Sequence, residues 1–190
     1  MKHFIGIDPS ADTFTAIRFT DGHLEGSPLS FESSAEGIDV FFAWLREQGC
    51  TEGSTWICIE NTGVYSELLL YQFHAAQWPV ALVEPIVVHR KMGKSRGKTD
   101  ALDSQRIAEY AYRFQDKLRP WEPHEAVVEQ IKVLLSTREQ LVEQKTALSN
   151  TRTSLRRKYI QTPAANVSLE HLIDQLKEQI RLLETEIKRL

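Results

Sequence analysis

Residues 3–22, HFIGIDPSADTFTAIRFTDG, decide the fold of this chain. The opening HFIGID is a short apolar run whose side chains alternate between two faces, with Asp8 on the same face as Phe4. The stretch DTFTAIRFT is rich in β-branched and aromatic residues, which favour strands. Asp21-Gly22 follows it and is a strong hairpin signal. The pattern therefore predicts two strands, with a third beginning after the turn, around LSFES.

Helices and strands alternate in the next 60 or so residues of the sequence. Ser33 or Ser34 can cap a helix that ends near Gly49. STWICIEN has the pattern of a buried strand, VYSELLLYQFHAA that of a helix, and PVALVEP that of another strand, closed by Pro85. The resulting order, β-β-β-α-β-α-β-α, is typical of an α/β layer fold with a mixed sheet. The apolar positions that define the first helix are Ile38, Phe41, Phe42 and Leu45.

The character of the chain changes near residue 121, which divides it into residues 1–120 and 121–190. Leucines recur every seven residues from Leu134 to Leu155, and the Gln161-Thr162-Pro163 stretch then breaks the helix. Residues 169–190 carry a coiled-coil stripe with apolar residues alternately four and three apart. An antiparallel hairpin or pairing with a second chain could produce this pattern. In the helix that carries Leu134 to Leu155, half of the positions along the apolar seam are basic, namely Arg138, Lys145 and Arg152.

Composition and charge limit the class of protein. The 42% apolar and 26% charged residues are ordinary for a soluble globular protein, and neither a signal peptide nor a membrane-length apolar run is evident, so we expect a cytoplasmic protein. The two cysteines do not suggest a disulfide framework or a zinc site. Residues 1–85 hold 3 Lys/Arg against 12 Asp/Glu, whereas residues 86–119 hold 9 against 4. An acidic body with a basic middle suits contact with a polyanion, and a solvated charged surface is the alternative.

Four carboxylates form a candidate metal site. Asp8 and Glu60 end two predicted strands, and they come within metal-bridging distance if those strands are parallel neighbours. Asp100 and Asp103 share one face of a predicted helix because they are three residues apart. Four converging carboxylates repel one another unless a cation joins them, and Mg²⁺ or Mn²⁺ prefers such oxygen ligands. The pattern predicts a nuclease-like site in which two ions act on a phosphate.

Each carboxylate also has a structural interpretation. Asp8 could be a turn residue before Pro9, and Glu60 could be a charge at a strand end. Asp100 follows Thr99, where a helix dipole favours an acid without any catalytic role. Asp103 is harder to explain in this way, because a capping box from Thr99 requires its acid one residue earlier.

A basic loop, HRKMGKSRGKTD, precedes the two aspartates. Four of its cations are candidates for contact with a nucleic-acid backbone. A solvated connector is the alternative interpretation. The candidate nucleic-acid-binding residues are Lys91, Lys94, Arg96 and Lys98.

Three motifs in this order, GIDPS, ICIENTGVY and RGKTDALDSQRIAEY, resemble the DEDD transposases of bacterial insertion sequences, the group that includes the Piv DNA invertase. The resemblance spans about residues 3–120 and continues loosely through the helices, which form a coiled coil in this family. It implies an RNase H-like (RuvC-like) N-terminal domain. It also implies that Asp8, Glu60, Asp100 and Asp103 are its catalytic metal ligands.

The resemblance carries further expectations. In this family a C-terminal domain supplies a serine that attacks DNA, members assemble as multimers on DNA, and a structured noncoding RNA guides them. Because the helical pattern runs up to Leu190 with nothing after it, we expect this chain to be a fragment or truncated product that lacks the serine domain. Glu84 departs from the pattern of the family, which more often has asparagine before the proline that is Pro85 here.

The sequence thus predicts the metal-binding catalytic domain of a DNA transposase or site-specific recombinase, dimeric or larger through its coiled coil. One alternative is a stand-alone structure-specific endonuclease that works like RuvC through metal-activated water. Another is a fragment of an actin-like ATPase or sugar kinase, although Pro9-Ser10 stand where those proteins need a glycine to approach phosphate. The last is a non-catalytic interaction protein built on the coiled coil.

Overall fold

The computed structural model describes residues 2–92 and 99–190. The chain forms two compact units, Met1–Pro123 and His124–Leu190. The second unit consists of α5 (Ala126–Arg156) and α6 (Pro163–Arg189). The first contains β1 (His3–Pro9), β2 (Thr13–Thr20), β3 (His23–Glu32), α1 (Ala35–Glu47), β4 (Thr55–Glu60), α2 (Val64–Ala75), β5 (Val80–Val83), α3 (Pro85–Met92), α4 (Asp100–Arg113) and a short 3-10 helix, Gln115–Lys117.

The five strands form one sheet in the order β3-β2-β1-β4-β5. Strand β2 is antiparallel to β1 and β3, whereas β4 is parallel to β1 and β5 is parallel to β4. Asp21 and Gly22 join β2 to β3 with φ angles of 49° and 89°, as the hairpin signal predicts. This mixed sheet flanked by helices, with a helical extension, confirms the predicted RNase H-like α/β fold. Pro9 pairs with Phe14 inside the sheet, so the interpretation of Asp8 as a turn residue is wrong.

The two faces of the sheet bury separate apolar clusters. One face, with Ile5 and Ile7, packs beneath α1 and α2, and its cluster includes Phe41, which is fully buried. The other face, with Phe4 and Cys58, packs beneath α3 and α4. Strand alternation explains the division, because successive side chains of β1 point to opposite faces. The rings of Phe14, Phe31 and Phe73 have centroids 5.3, 5.2 and 5.3 Å from that of Phe41.

Helices α5 and α6 form an antiparallel hairpin within one chain. Arg138 Nε donates a hydrogen bond to Glu184 Oε1 at 2.7 Å, and Arg152 Nη1 lies 3.3 Å from Glu170 Oε1. The second pair lies further along α5 and correspondingly further back along α6, which is the register of antiparallel helices. Glutamates of α6 therefore neutralise part of the basic seam that the sequence of α5 shows. Within the described residues, no helix has both the length and the apolar content needed to cross a bilayer.

Buried His3 makes the stability of the first unit depend on pH. Its Nδ1 lies 2.9 Å from Thr20 Oγ1, and burial together with the nearby Arg18 charge lowers the pKa of His3 below 6.5. The unfolded chain therefore takes up a proton at a higher pH than the folded chain does, and the free energy of unfolding falls as pH drops below 6.5 toward the folded pKa.

We expect urea unfolding to show lower stability at about pH 5 than at about pH 7, and a smaller difference in His3→Gln. His23→Gln is the control, because His23 is exposed. Identical pH dependence in His3→Gln and the wild type would contradict this account.

Candidate functional site

Asp8 and Glu60 lie side by side at the carboxyl ends of β1 and β4. These strands are parallel neighbours, and Ile7 pairs with Ile59, so the next residue on each strand is one of the two acids. Neighbouring strands are about 4.8 Å apart. Alternation along the strands places both acids on the face that α4 covers. The predicted juxtaposition of the two strand ends is therefore present in the structure.

The direction of α4 depends on a close approach to Gly6, in the middle of β1. A Cβ atom at this position would lie 2.1 Å from Ser104 O and 2.3 Å from Ala108 N, so only glycine lets the helix backbone lie this close to the strand. Further along the helix, Tyr112 packs edge-on against Phe4, with ring centroids 5.7 Å apart. Later residues of α4 thus contact earlier residues of β1, and the helix runs antiparallel to the strand.

This direction brings the start of α4 to the edge of the sheet where Asp8 lies. Asp100 is one turn before Ser104, about 6 Å further along the helix axis. Asp8 is two residues beyond Gly6, about 6.6 Å further along the strand. The helix begins here because Thr99 caps it, with Oγ1 accepting a hydrogen bond from Leu102 N at 3.3 Å. Asp100, Asp8 and the end of β4 therefore come to one edge of the sheet.

Asp103 lies on the side of α4 that faces β4 and β5. It shares a helical stripe with Tyr110 and Phe114, since these residues lie seven and eleven positions further on. Tyr110 lines a groove beside β5, and Phe114 contacts Lys91 of α3. Asp103 therefore faces the half of the sheet that contains Glu60.

The donor chemistry of these four carboxylates fits a hard divalent cation, which prefers oxygen ligands. Asp8, Glu60 and Asp103 are half-buried and Asp100 is exposed, so solvent and substrate can reach the edge of the sheet. Among residues 2–92 and 99–190, no three Asp, Glu, His or Cys side chains are already gathered as a metal-binding group. The backbone thus brings the elements that carry the four acids to one edge of the sheet.

Glu84 is linked to the segment that follows Glu60. Asn61 Nδ2 donates a hydrogen bond to Glu84 Oε1 at 2.8 Å, and Asn61 N donates to Val83 O at 2.9 Å. Asn61 Oδ1 also accepts from Gly63 N at 3.2 Å. The turn after β4 is therefore tied to the end of β5, which gives Glu84 a structural contact beside the candidate site.

The basic residues predicted to bind nucleic acid divide into two groups. Lys91 lies in the last turn of α3, with its Nζ 5.7 Å from the centre of the Phe114 ring. The other three, Lys94, Arg96 and Lys98, lie outside the described residues.

Sequence reasoning missed two residues that shape the site, Gly6 and Asn61. A glycine within an otherwise bulky buried strand is a signal of close backbone approach, so the role of Gly6 could have been found. Asn61 lacked such a signal, because its contact with Glu84 depends on the pairing of two strands.

Comparison with known proteins gives a family. The family model of the DEDD transposases of IS110 type matches residues 5–160. The pilin gene-inverting proteins of Moraxella lacunata and Moraxella bovis are each 28% identical over 152 residues, which cover 76% of this chain and 46% of the relative. The chain therefore spans about half the length of these relatives.

A solved structure described as RuvC of T. thermophilus in complex with a Holliday junction substrate is also similar. The TM-score is 0.47 with 14% sequence identity, over 64% of this chain and 100% of the other. The family match, by contrast, runs through β1, β4 and α4 and includes all four candidate carboxylates. The chain belongs to the DEDD transposases of the IS110 type.

Proposed function

We propose that this chain is the metal-binding catalytic part of a DNA transposase or site-specific recombinase that cuts and exchanges DNA strands. The observation that supports this most is the arrival of β1, β4 and the start of α4 at one edge of the sheet, each with an acid. Family membership and the gene inversion named in the description of the Moraxella relatives support DNA as the substrate. In this proposal Asp8, Glu60, Asp100 and Asp103 hold Mg²⁺ or Mn²⁺.

The residues of this chain would orient the metal ions and the phosphates of the nucleic acid. Divalent ions, when bound, polarise a phosphate and stabilise charge on the attacking and leaving oxygens. Asp8 and Glu60 belong to the central strands of a packed sheet, so their backbones form a rigid side of the site. The first turn of α4 adds the positive end of its dipole, which favours an anion beside Asp100. Lys91, together with Lys94, Arg96 and Lys98, would contact phosphates of DNA or of a guide RNA.

The partners proposed from the family are a structured guide RNA and further copies of the protein. The hairpin of α5 and α6 is a candidate for the contact between copies, because Leu135, Leu172 and Leu182 are exposed on it. The serine that attacks DNA in this family would come from a domain outside these 190 residues. We therefore expect the chain to bind metal and nucleic acid without completing recombination alone.

The metal site is tested by titrating Mn²⁺ into the wild type, Asp8→Asn and Asp103→Asn by calorimetry. We expect each variant to bind about tenfold more weakly or worse, since each loses a charged ligand. Asp39→Asn is the control, because Asp39 is exposed on α1, which covers the opposite face.

Equal Mn²⁺ binding by all four proteins would remove the carboxylates from the site and favour an interaction protein. The stand-alone nuclease is tested separately, by incubating the chain with branched DNA and Mg²⁺. Cleavage by these 190 residues alone would favour that alternative over the recombinase.

A further inference from the structure

Two lysines from different elements lie against one aromatic ring. Lys91 of α3 has its Nζ 5.7 Å from the centroid of Phe114, and Lys117 of the 3-10 helix has its Nζ 5.5 Å from the same point. Like charges repel, and the electron-rich face of a ring compensates part of that repulsion. Among the ion pairs of the described residues, none involves Lys91 or Lys117. The pair thus presents positive charge held in place by Phe114.

Beside this pair runs a groove of about 270 Å³ along the outer edge of β5. Lys117 and Arg119 line one side of it. The Arg119 guanidinium is held by two preceding backbone carbonyls, because Nη1 donates to Asp116 O at 3.3 Å and to Leu118 O at 3.1 Å. The carboxylate in the lining, Glu84, accepts a hydrogen bond from Asn61. The groove is therefore lined by two cations, Lys117 and Arg119, that contact neighbouring groups of the chain, and by one carboxylate, Glu84, that already accepts a hydrogen bond.

The groove leads to the candidate carboxylate site. Its lining includes Val83 and Glu84 at the carboxyl end of β5. Val83 pairs with Glu60 across the parallel strands, and Glu84 contacts the residue after Glu60. The chain from Leu118 to Trp121 follows the same edge, since Trp121 N donates to Val80 O at 2.7 Å. A strand of nucleic acid held at the carboxylates could continue directly into this groove.

We propose that Lys91, Lys117 and Arg119 form a phosphate-binding track, organised by Phe114, for the nucleic-acid backbone on one side of the cut position. The inference rests on the proposed function and extends it to a second contact surface. Its contacts are to phosphates, which position a nucleic acid without reading its sequence. Neither DNA nor RNA is specified by this chemistry, because both present the same phosphodiester groups.

The test measures binding of the whole chain to labelled duplex DNA of mixed sequence and to a hairpin RNA, by fluorescence anisotropy over a series of salt concentrations. In the Lys91→Gln/Lys117→Gln double variant we expect the slope of log affinity against log salt on duplex DNA to fall by about 1.8, which is about 0.9 for each phosphate that a lysine no longer neutralises. Phe114→Leu keeps both charges and is expected to weaken binding by about two- to fivefold for each lysine it releases.

A Lys2→Gln/Arg46→Gln double variant is the charge-matched control, since both residues are exposed in the first unit and Arg46 lies on α1. Equal slopes for the lysine double variant and this control, with wild-type binding intact, would overturn the track and leave the proposed function standing. A reduced slope on DNA only, or on RNA only, identifies which nucleic acid occupies the track. A wild type that binds neither would overturn the track and the proposed function together. Thermal melting of every variant separates a binding effect from unfolding.

Discussion

Replacing Gly6 with alanine is expected to destabilise the first unit by about 3 kcal/mol and to weaken Mn²⁺ binding at the same time. The added Cβ would lie 2.1 Å from Ser104 O and 2.3 Å from Ala108 N. Both are backbone atoms, so no side chain can rotate away and the whole helix must shift. Because α4 also carries Asp100 and Asp103, the shift moves two proposed ligands relative to Asp8. Urea unfolding and Mn²⁺ calorimetry together measure the two effects.

Gly53→Ala is the matched control for this substitution. A Cβ at Gly53 meets nothing within 4 Å, and its stability change is expected to stay within about 0.5 kcal/mol. If Gly6→Ala lowered stability while leaving Mn²⁺ affinity at the wild-type value, α4 would not position the metal ligands. If neither quantity changed, the close contact between β1 and α4 would itself be wrong.

Phe41→Ala is expected to cost about 3–5 kcal/mol of stability without changing the affinity of the folded protein for Mn²⁺. Phe41 is fully buried, and its ring contacts four other phenylalanines of the cluster beneath α1 and α2. Truncation leaves a cavity that these rings fill only in part. The cluster lies on the face of the sheet opposite α4, so the edge with the acids keeps its geometry. Denaturant unfolding measures the destabilisation, and calorimetry below the unfolding transition measures the affinity.

Phe41→Leu is the graded control, since it removes less volume and should cost clearly less than the alanine variant. Tyr159→Ala is the second control, because Tyr159 is fully exposed and buries no apolar area in the chain. A fall in Mn²⁺ affinity for folded Phe41→Ala would show that the two faces of the sheet are not independent. A cost below about 1 kcal/mol would show that the cluster adapts to the missing ring.

Local pattern was enough to predict most of the sheet. Alternation in HFIGID placed Asp8 and Ile7 on opposite faces of the sheet, and Asp21-Gly22 predicted the β2–β3 turn. Both signals depend on neighbouring residues alone. The order of strands and helices as far as β5 also followed from periodicity. Helix α3 was not predicted, because its basic last turn was interpreted as the start of the loop HRKMGKSRGKTD. The juxtaposition of Asp8 with Glu60 needed only the further condition that β1 and β4 be parallel neighbours.

The remaining features depend on contacts between distant segments. The path of α4 rests on one glycine whose role appears only when the helix is laid on β1. The link from Asn61 to Glu84 requires the β4–β5 register, and the position of Lys91 requires Phe114 of another helix. The helical pattern of the second unit fitted either one chain or two. The ion pair between Arg138 and Glu184 joins α5 to α6 and favours a hairpin within one chain. The spacing of apolar residues within each helix does not distinguish this hairpin from pairing with a second chain.

The hydrogen bond from Trp121 N to Val80 O restricts how copies of this protein can associate. It occupies part of the free edge of β5, the outermost strand on that side. At the other margin, β3 contains Pro28, which has no N–H to offer a neighbour, and its register with β2 shifts near Arg18. Such features discourage the joining of sheets from separate molecules. The association of copies that the proposed function includes should therefore proceed through side-chain contacts between helices rather than through continuous β-structure.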